Sequence, residues 1–269
     1  MSNNIFVLGF GAQKTGSTWV ANYLKSHPQV YVSPIKELHF FRYFDEGGAW
    51  PNSFFENQLN KCCSELRREA LADRLAMEND LAAYQGYFKK RMSAETHFCD
   101  ITPAYSLLPL SELQRIRSHF NRVKPFVILR NPADRFWSQV KFDARNDEGP
   151  NLGVRLNDAL SDQNYLKRSD YLGILGRLHT GFSEEEVYVD FYENFFSYEG
   201  IAKFCNFLEI EYLKPQLDVV KNSSSAAKMR KGQRKRIVKR LCEQYEFCDE
   251  RFGSSLPSSW QYDLSLSAS

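Results

Sequence analysis

The chain has 269 residues, 43% of them apolar and 25% charged, and Lys and Arg nearly balance Asp and Glu to leave a net charge of +2. This is the composition of an ordinary soluble protein with enough apolar material for a sizeable core. It excludes a polyanion binder that works through overall charge, so any electrostatic preference must come from local clustering. The cysteines at 62, 63, 99, 205, 242 and 248 form no C-x-x-C pair and read as reduced, mostly buried thiols. No charged-then-apolar leader opens the sequence, and no apolar run approaches the ~18 residues of a membrane span. The expectation is a soluble, cytoplasmic protein.

In chain order, "IFVLGF" (5–10) reads as a short buried strand and is followed by a glycine-bearing loop. "STWVANYLKSH" then places Trp19, Val20, Tyr23 and Leu24 at helical spacing. Strand, loop, helix is the opening of a βαβ unit. "VYVS" (30–33) predicts a second strand ending at Pro34. The charged stretch 50–91 reads as helical, with Leu59, Cys62, Cys63, Leu66, Leu71, Leu75 and Leu81 as its apolar face. "HFCDIT" (97–102) predicts a third strand, and "LSELQRIRSHF" a helix after Pro109. "PFVILR" (125–130) is a continuous apolar run, as expected of a parallel strand covered on both faces. Pro132 then opens a helix from a first-turn position that tolerates proline. Two helical stretches span 152–180, "EVYVDF" (186–191) is a further strand, and "FFSYEGIAKFCNFLEI" a further helix. A loop, "KNSSSAAKMRKG", leads to a final basic amphipathic helix, "QRKRIVKRLCEQYEFCDERFG", closed by Gly253. Strands alternating with helices, without an internal repeat or a dividing linker, predict one three-layer α/β domain over 1–269. Its sheet is expected to be mostly parallel and flanked by helices, in a P-loop-like arrangement.

The first loop, "GFGAQKTGSTW" (9–19), resembles a phosphate-binding loop with one part changed. A nucleoside-triphosphate loop carries glycine directly before its lysine, whereas here Gln13 precedes Lys14 and the glycine follows as Gly16. Backbone N–H groups and the positive end of the next helix suit an anion. Lys14 adds a point charge, and Thr15, Ser17 and Thr18 add hydroxyl donors. Enzymes that use ATP also need a strand-end carboxylate for Mg²⁺, but "VILRNP" offers Arg130 in that place. A guanidinium repels magnesium and grips a bare phosphate monoester with two bonds. The pattern therefore predicts a nucleotide held without metal, with one phosphate for each cationic site.

These segments resemble the sulfotransferases that use 3′-phosphoadenosine 5′-phosphosulfate (PAPS) and release adenosine 3′,5′-bisphosphate (PAP). "GAQKTGSTW" is similar to their 5′-phosphosulfate loop, and "RNPADRFWS" (130–138) to their 3′-phosphate motif. "KELHFF" (36–41) is similar to a motif of the heparan sulfate and bacterial branch, whose glutamate is the general base. "DITPAYSLLP" and "VYVDFYENF" also look like family segments, so the resemblance runs from about residue 5 to 250. It implies that Lys14 contacts the bridging oxygen of the leaving group, with Gln13, Thr15, Gly16, Ser17 and Thr18 around the 5′-phosphate. It further implies that Arg130 and Ser138 hold the 3′-phosphate, that Tyr192 contacts the nucleotide, and that Arg230, Lys231 and Gly232 of "MRKG" close over the same group.

For the acceptor, the resemblance implies Glu37 as general base. An ordinary glutamate, with a pKa of ~4.3, is a weak base at neutral pH. Partial burial beside Phe40 and Phe41 would raise it, while Lys36 or His39 would pull it down. His39 is expected to orient Glu37, to act as base itself, or to be a structural histidine. Other branches use a later histidine, which makes His97 a second candidate. His27 reads as closing the first helix, and no cluster suggests a metal. The basic run 228–240 reads as a solvated face docked by Ile237, Val238, Leu241 and Tyr245, rather than as a nucleic-acid or membrane patch. The stretch 50–92 is expected to line the acceptor site, where a small molecule, saccharide or lipid fits equally. An ATP-dependent small-molecule kinase and a non-catalytic nucleotide- or polyanion-binding module remain the alternatives.

Overall fold

The computed structural model describes residues 3–41, 52–146, 151–219 and 227–267. Strand β1 (Ile5–Gly9) leads through the anion loop to α1 (Ser17–Lys25) and β2 (Val30–Val32). Helices α2 (Asn52–Lys61), α3 (Glu65–Ala76) and α4 (Leu81–Arg91) precede β3 (His97–Ile101), α5 (Leu110–His119) and β4 (Val123–Leu129). Next come α6 (Pro132–Asp143), α7 (Leu152–Ser161), α8 (Gln163–Lys167), α9 (Tyr171–Gly181) and β5 (Tyr188–Phe191). The short α10 (Tyr192–Phe195), α11 (Tyr198–Leu208), α12 (Lys231–Arg240), α13 (Cys242–Phe252) and α14 (Ser258–Ser267) complete the order.

The strands form one sheet in the order β2-β3-β1-β4-β5, and every neighbouring pair is parallel. Side chains alternate across a strand, and the core follows that alternation. Phe6 and Leu8 of β1, with Val127 and Leu129 of β4, face a large cluster under α3–α7, α9 and α12–α14. Ile5, Val7, Phe126 and Ile128 face a smaller cluster under α1, α10 and α11. Helices thus cover both faces, which is why "PFVILR" is apolar without interruption. Strand β4 starts at Val123, two residues before the predicted run, and so contains Pro125. β5 begins only opposite Phe126, so the proline sits where β4 lacks its second neighbour and no ladder bond is lost on that side.

Several boundaries differ from the sequence reading. Three helices, α7 to α9, occupy the stretch read as two. The predicted final helix breaks at Leu241 into α12 and α13, and α14 follows it. The apolar face expected on 50–91 is also corrected: Leu66 is 60% exposed and Cys63 is exposed. The chain turns at Cys62–Ser64 between α2 and α3, which resets the helical phase, and the buried set is Phe55, Ala70, Leu71, Arg74, Met77, Tyr84, Tyr87 and Phe88. All the cysteines are free, but only Cys99, Cys205 and Cys248 are buried. The loop expected over 221–232 lies partly outside the described residues.

Candidate active site

A cavity of about 650 Å³ opens at the carboxyl end of the sheet, where open parallel sheets bind ligands. All five strands deliver residues to it. The 13–19 loop follows β1, Lys36 and Glu37 follow β2, Pro103 follows β3, Arg130 and Ser138 follow β4, and Tyr192 follows β5.

The anion loop is fixed to β4 by three backbone bonds: Phe10 N–H to Phe126 O, Ala12 N–H to Ile128 O and Ile128 N–H to Gly11 O, at 2.9, 3.0 and 2.8 Å. Gly16 caps α1 with φ +85°, a conformation that favours glycine. A Cβ there would stand 2.4 Å from the Phe196 ring. Among the described residues no side chain caps this helix end, which leaves first-turn donors for a ligand. Gln13, Lys14, Gly16, Ser17 and Thr18 line the cavity. Thr15 does not point its hydroxyl there: it is buried and donates to Ala12 O at 2.6 Å, bracing the loop from behind.

The Lys14 ammonium sits 3.8 Å from the centroid of the Phe142 ring. Burial, with Arg145 as the next strongest influence, lowers its pKa to about 8. Arg130 donates to Lys14 O at 3.0 Å and lies 4.7 Å over the Tyr192 ring. Tyr171, buried beneath, donates to Arg130 O at 2.6 Å. Asn131 caps α6 by accepting from Ala133 and Asp134 N–H. That cap presents Ser138 to the cavity two turns later.

Across the cavity, the two carboxylate oxygens of Glu37 have separate partners. Lys36 Nζ is 3.0 Å from Oε1, and His39 Nε2 is 3.3 Å from Oε2. Desolvation pushes Glu37 up, but the bond to His39 and the charge and bond of Lys36 outweigh it and hold the carboxyl below its ordinary value. Phe40 and Phe41 are fully buried in the core, and the polar partners decide the balance. The backbone of this segment is clamped from two sides. Arg74 of α3 is buried and donates to Leu38 O and His39 O at 2.5 and 3.3 Å. Tyr105 accepts from Phe40 N–H and donates to the buried Asp100, which also accepts from Thr102 and Tyr84.

Not every residue singled out in the sequence reaches the cavity. Arg230, Lys231 and Gly232 are exposed at the start of α12 and, among the described residues, do not line it. His97 sits at the amino end of β3, away from the strand ends that form the site, with its Nε2 2.8 Å from Leu208 O. His27 joins α1 to the Glu211 carbonyl at 2.8 Å, as a structural histidine does. None of the described residues of 52–91 lines the cavity, although Phe54 packs edge-on to His39 with 6.4 Å between centroids.

Conversely, Lys141, Phe142, Arg145 and Arg168 line the cavity and had no motif to mark them. The first three follow Ser138 at helical spacing and were readable as an extension of its face. Arg168 carried no sequence signal, because α8 and α9 meet the site only through the fold.

A profile of the Sulfotransferase family matches residues 4–194. Among solved structures, the chain is similar to a sulfotransferase from Alicyclobacillus acidocaldarius, with 21% identity and a TM-score of 0.68 over 97% of this chain and 99% of that one. It is also similar to the sulfotransferase domain from the curacin biosynthetic pathway, with 15% identity and a TM-score of 0.53 over 85% and 81%. For the sulfotransferase domain from the Synechococcus PCC 7002 olefin synthase the values are 16% and 0.49 over 98% and 93%. No curated protein matches the sequence. Identities this low support the shared fold alone, but the profile covers most of the chain: it belongs to the sulfotransferase family.

Proposed function

We propose that the whole chain acts as one catalytic domain. It moves a sulfuryl group from PAPS to a hydroxyl or amine of a small-molecule, saccharide or lipid acceptor, and it works in the cytoplasm. The observation that carries this reading is that Lys14, Glu37, Arg130 and Ser138, drawn from the ends of three strands, line one cavity. The donor's chemistry fits the lining. Glu37 is the single acidic group among the described lining residues, against Lys14, Lys36, Arg130, Lys141, Arg145 and Arg168. The volume also lies within the ~300–1,000 Å³ typical of nucleotide-sized ligand sites.

Sulfuryl transfer resembles phosphoryl transfer, an in-line displacement through a loose transition state. Positioning and electrostatics therefore supply most of the acceleration. Lys14, with the loop and the start of α1, neutralises charge that grows on the departing oxygen. Arg130 and Ser138 hold the 3′-phosphate, and Tyr192 flanks the nucleotide. Glu37 takes the proton of the attacking hydroxyl. With its pKa below the ordinary value it is ionised at neutral pH and is a weak base, which suits a proton that leaves late. His39 orients that carboxylate. The stretch 52–91 backs the site through Arg74.

Calorimetric titration with PAP and with ATP, each with and without magnesium, tests the reading. Tight PAP binding that ignores magnesium and weakens in Arg130→Ala is the expected result. Magnesium-dependent ATP binding without a response to PAP would replace the proposal with a kinase.

A further inference from the structure

Arg135 lies inside the "RNPADRFWS" segment, between Arg130 and Ser138, yet it does not line the cavity. It is fully buried, and among the described residues no carboxylate pairs with it. Its Nε donates to Ser169 Oγ at 2.8 Å and its Nη2 to Tyr165 O at 3.4 Å, while Nη1 has no hydrogen-bond partner among the described residues. Burying a guanidinium without a counter-charge is expensive. Burial pushes its pKa down to about 10, and the positive charges of Arg168 and Arg130 push the same way. A fold that keeps such a group has a use for it.

Its bonds show where the use lies. Ser169 is itself fully buried, and it sits next to Arg168 at the corner between α8 and α9, so Arg135 grips that corner from α6. Tyr171, two residues further on, pins the same corner to the Arg130 carbonyl. Between these two anchors Arg168, whose Nη1 donates to Asn164 O, lines the cavity, and both it and Arg130 lie close enough to Arg135 for their charges to act on it. The late basic residues Arg230 and Lys231, by contrast, are exposed and outside the lining.

We propose that Arg168 is the second arginine of the donor's 3′-phosphate subsite and that Arg135 is its positioning residue, with the bound phosphate supplying the negative charge that Arg135 lacks. The proposal rests on the reading of the cavity as a PAPS site. A charge-assisted bond to phosphate is worth roughly a 10- to 100-fold change in affinity.

The test compares PAP with adenosine 5′-monophosphate, which lacks the 3′-phosphate, on the full-length chain. In Arg168→Met the dissociation constant for PAP is expected to rise about 10- to 100-fold, with the monophosphate unchanged. Arg135→Met and Ser169→Ala lower the PAP-to-monophosphate preference in the same direction, without an equal loss for the monophosphate. A purely structural Arg135 would weaken both ligands alike, and that result overturns the positioning role. If Arg135→Met does not fold, Ser169→Ala and Arg168→Met still decide. Wild-type protein that binds PAP, with an unchanged preference in Arg168→Met, sinks this inference alone. Wild-type protein that binds neither nucleotide sinks the donor reading with it.

Discussion

Glu37 and Lys14 line the same cavity, and both pKa values lie below the ordinary ones, which favours the charged form of Glu37 and disfavours that of Lys14. As the proposed base, Glu37 must be ionised to accept a proton, and its pKa lies below the ordinary value of ~4.3. The acid limb of the rate profile is therefore expected below that pH. His39→Ala removes the strongest influence that lowers it, leaves desolvation less opposed, and moves the limb upward. Glu37→Gln is expected to cut kcat by about 10²- to 10⁴-fold while PAP affinity stays the same. A pH profile with any accepted alcohol, alongside PAP titration of each variant, checks both statements. Lys14 gives the opposite sign. Burial first, and then the neighbouring cations led by Arg145, hold its pKa at about 8, and an anionic donor must raise it. PAP affinity should then be flat below pH 8 and fall above it, with a proton taken up on binding. Calorimetry at pH 8.5 in two buffers of different ionisation enthalpy measures that proton, and Lys14→Met should abolish the uptake. An uptake that survives in Lys14→Met would assign the proton to another group. Both residues were legible in the sequence because each stands in a short motif. The direction of the Glu37 shift was left open between burial and its neighbours Lys36 and His39, and only the contacts those two make with the carboxylate decide it.

The elements explain why the site keeps its shape. Strand ends bring the proposed catalytic groups together, but helices remote in sequence hold them. α3 supplies Arg74 to the Glu37 segment, and α14 supplies Asp263 to the start of α6. Asp263 is completely buried, accepts from Asn131 Nδ2 at 2.7 Å, and pairs with Arg234 at 2.6 Å. Arg234 reaches Asp134 of α6 as well, at 2.9 Å. These bonds hold the guanidinium above its ordinary pKa, the bond to Asp263 being the largest contributor. The network ties α12 and α14 to the residue next to Arg130. Asp263→Ala leaves Arg234 and Asn131 without their buried partner, and breaking such a pair costs about 3–5 kcal/mol. Urea unfolding should show that loss, together with weaker PAP binding through displaced Arg130. A loss under about 1 kcal/mol, the scale of an exposed pair, would mean that α14 is a passive appendage. No reading of the sequence found this clasp. "SSWQYDLSLSAS" looks like a polar tail, and the carboxylate gains its meaning only from Arg234 and Asn131, 29 and 132 residues away.

At the scale of the whole molecule, the fold was readable because its physics is local. A buried parallel strand needs an apolar run, an anion loop needs glycine, and a helix start needs a cap or a proline; β1, β4, Gly16 and Pro132 each meet one of these needs. Helix packing is non-local, which is why the phase of α2 and α3 and the break at Leu241 were missed. The same division governs charge. A net charge of +2 hides a cavity lined by Lys14, Arg130 and four further cations against Glu37. Gathering like charges at one end of the sheet costs stability when no anion is present, so ligand and fold are coupled. A ligand that binds only the native state adds about 2.7 kcal/mol at a hundred times its dissociation constant. For a chain of this size each kcal/mol is worth roughly 2–4 °C, so PAP at that excess should raise Tm by about 5–10 °C. Adenosine without phosphates should raise it little, because it brings the ring but none of the charge. Salt separates the two contributions: raising ionic strength should stabilise the free protein by screening its crowded cations, and shrink the shift that PAP produces. A shift that appears only with magnesium, or one that salt leaves unchanged, would mean that the cations of this cavity are not what recognises the donor.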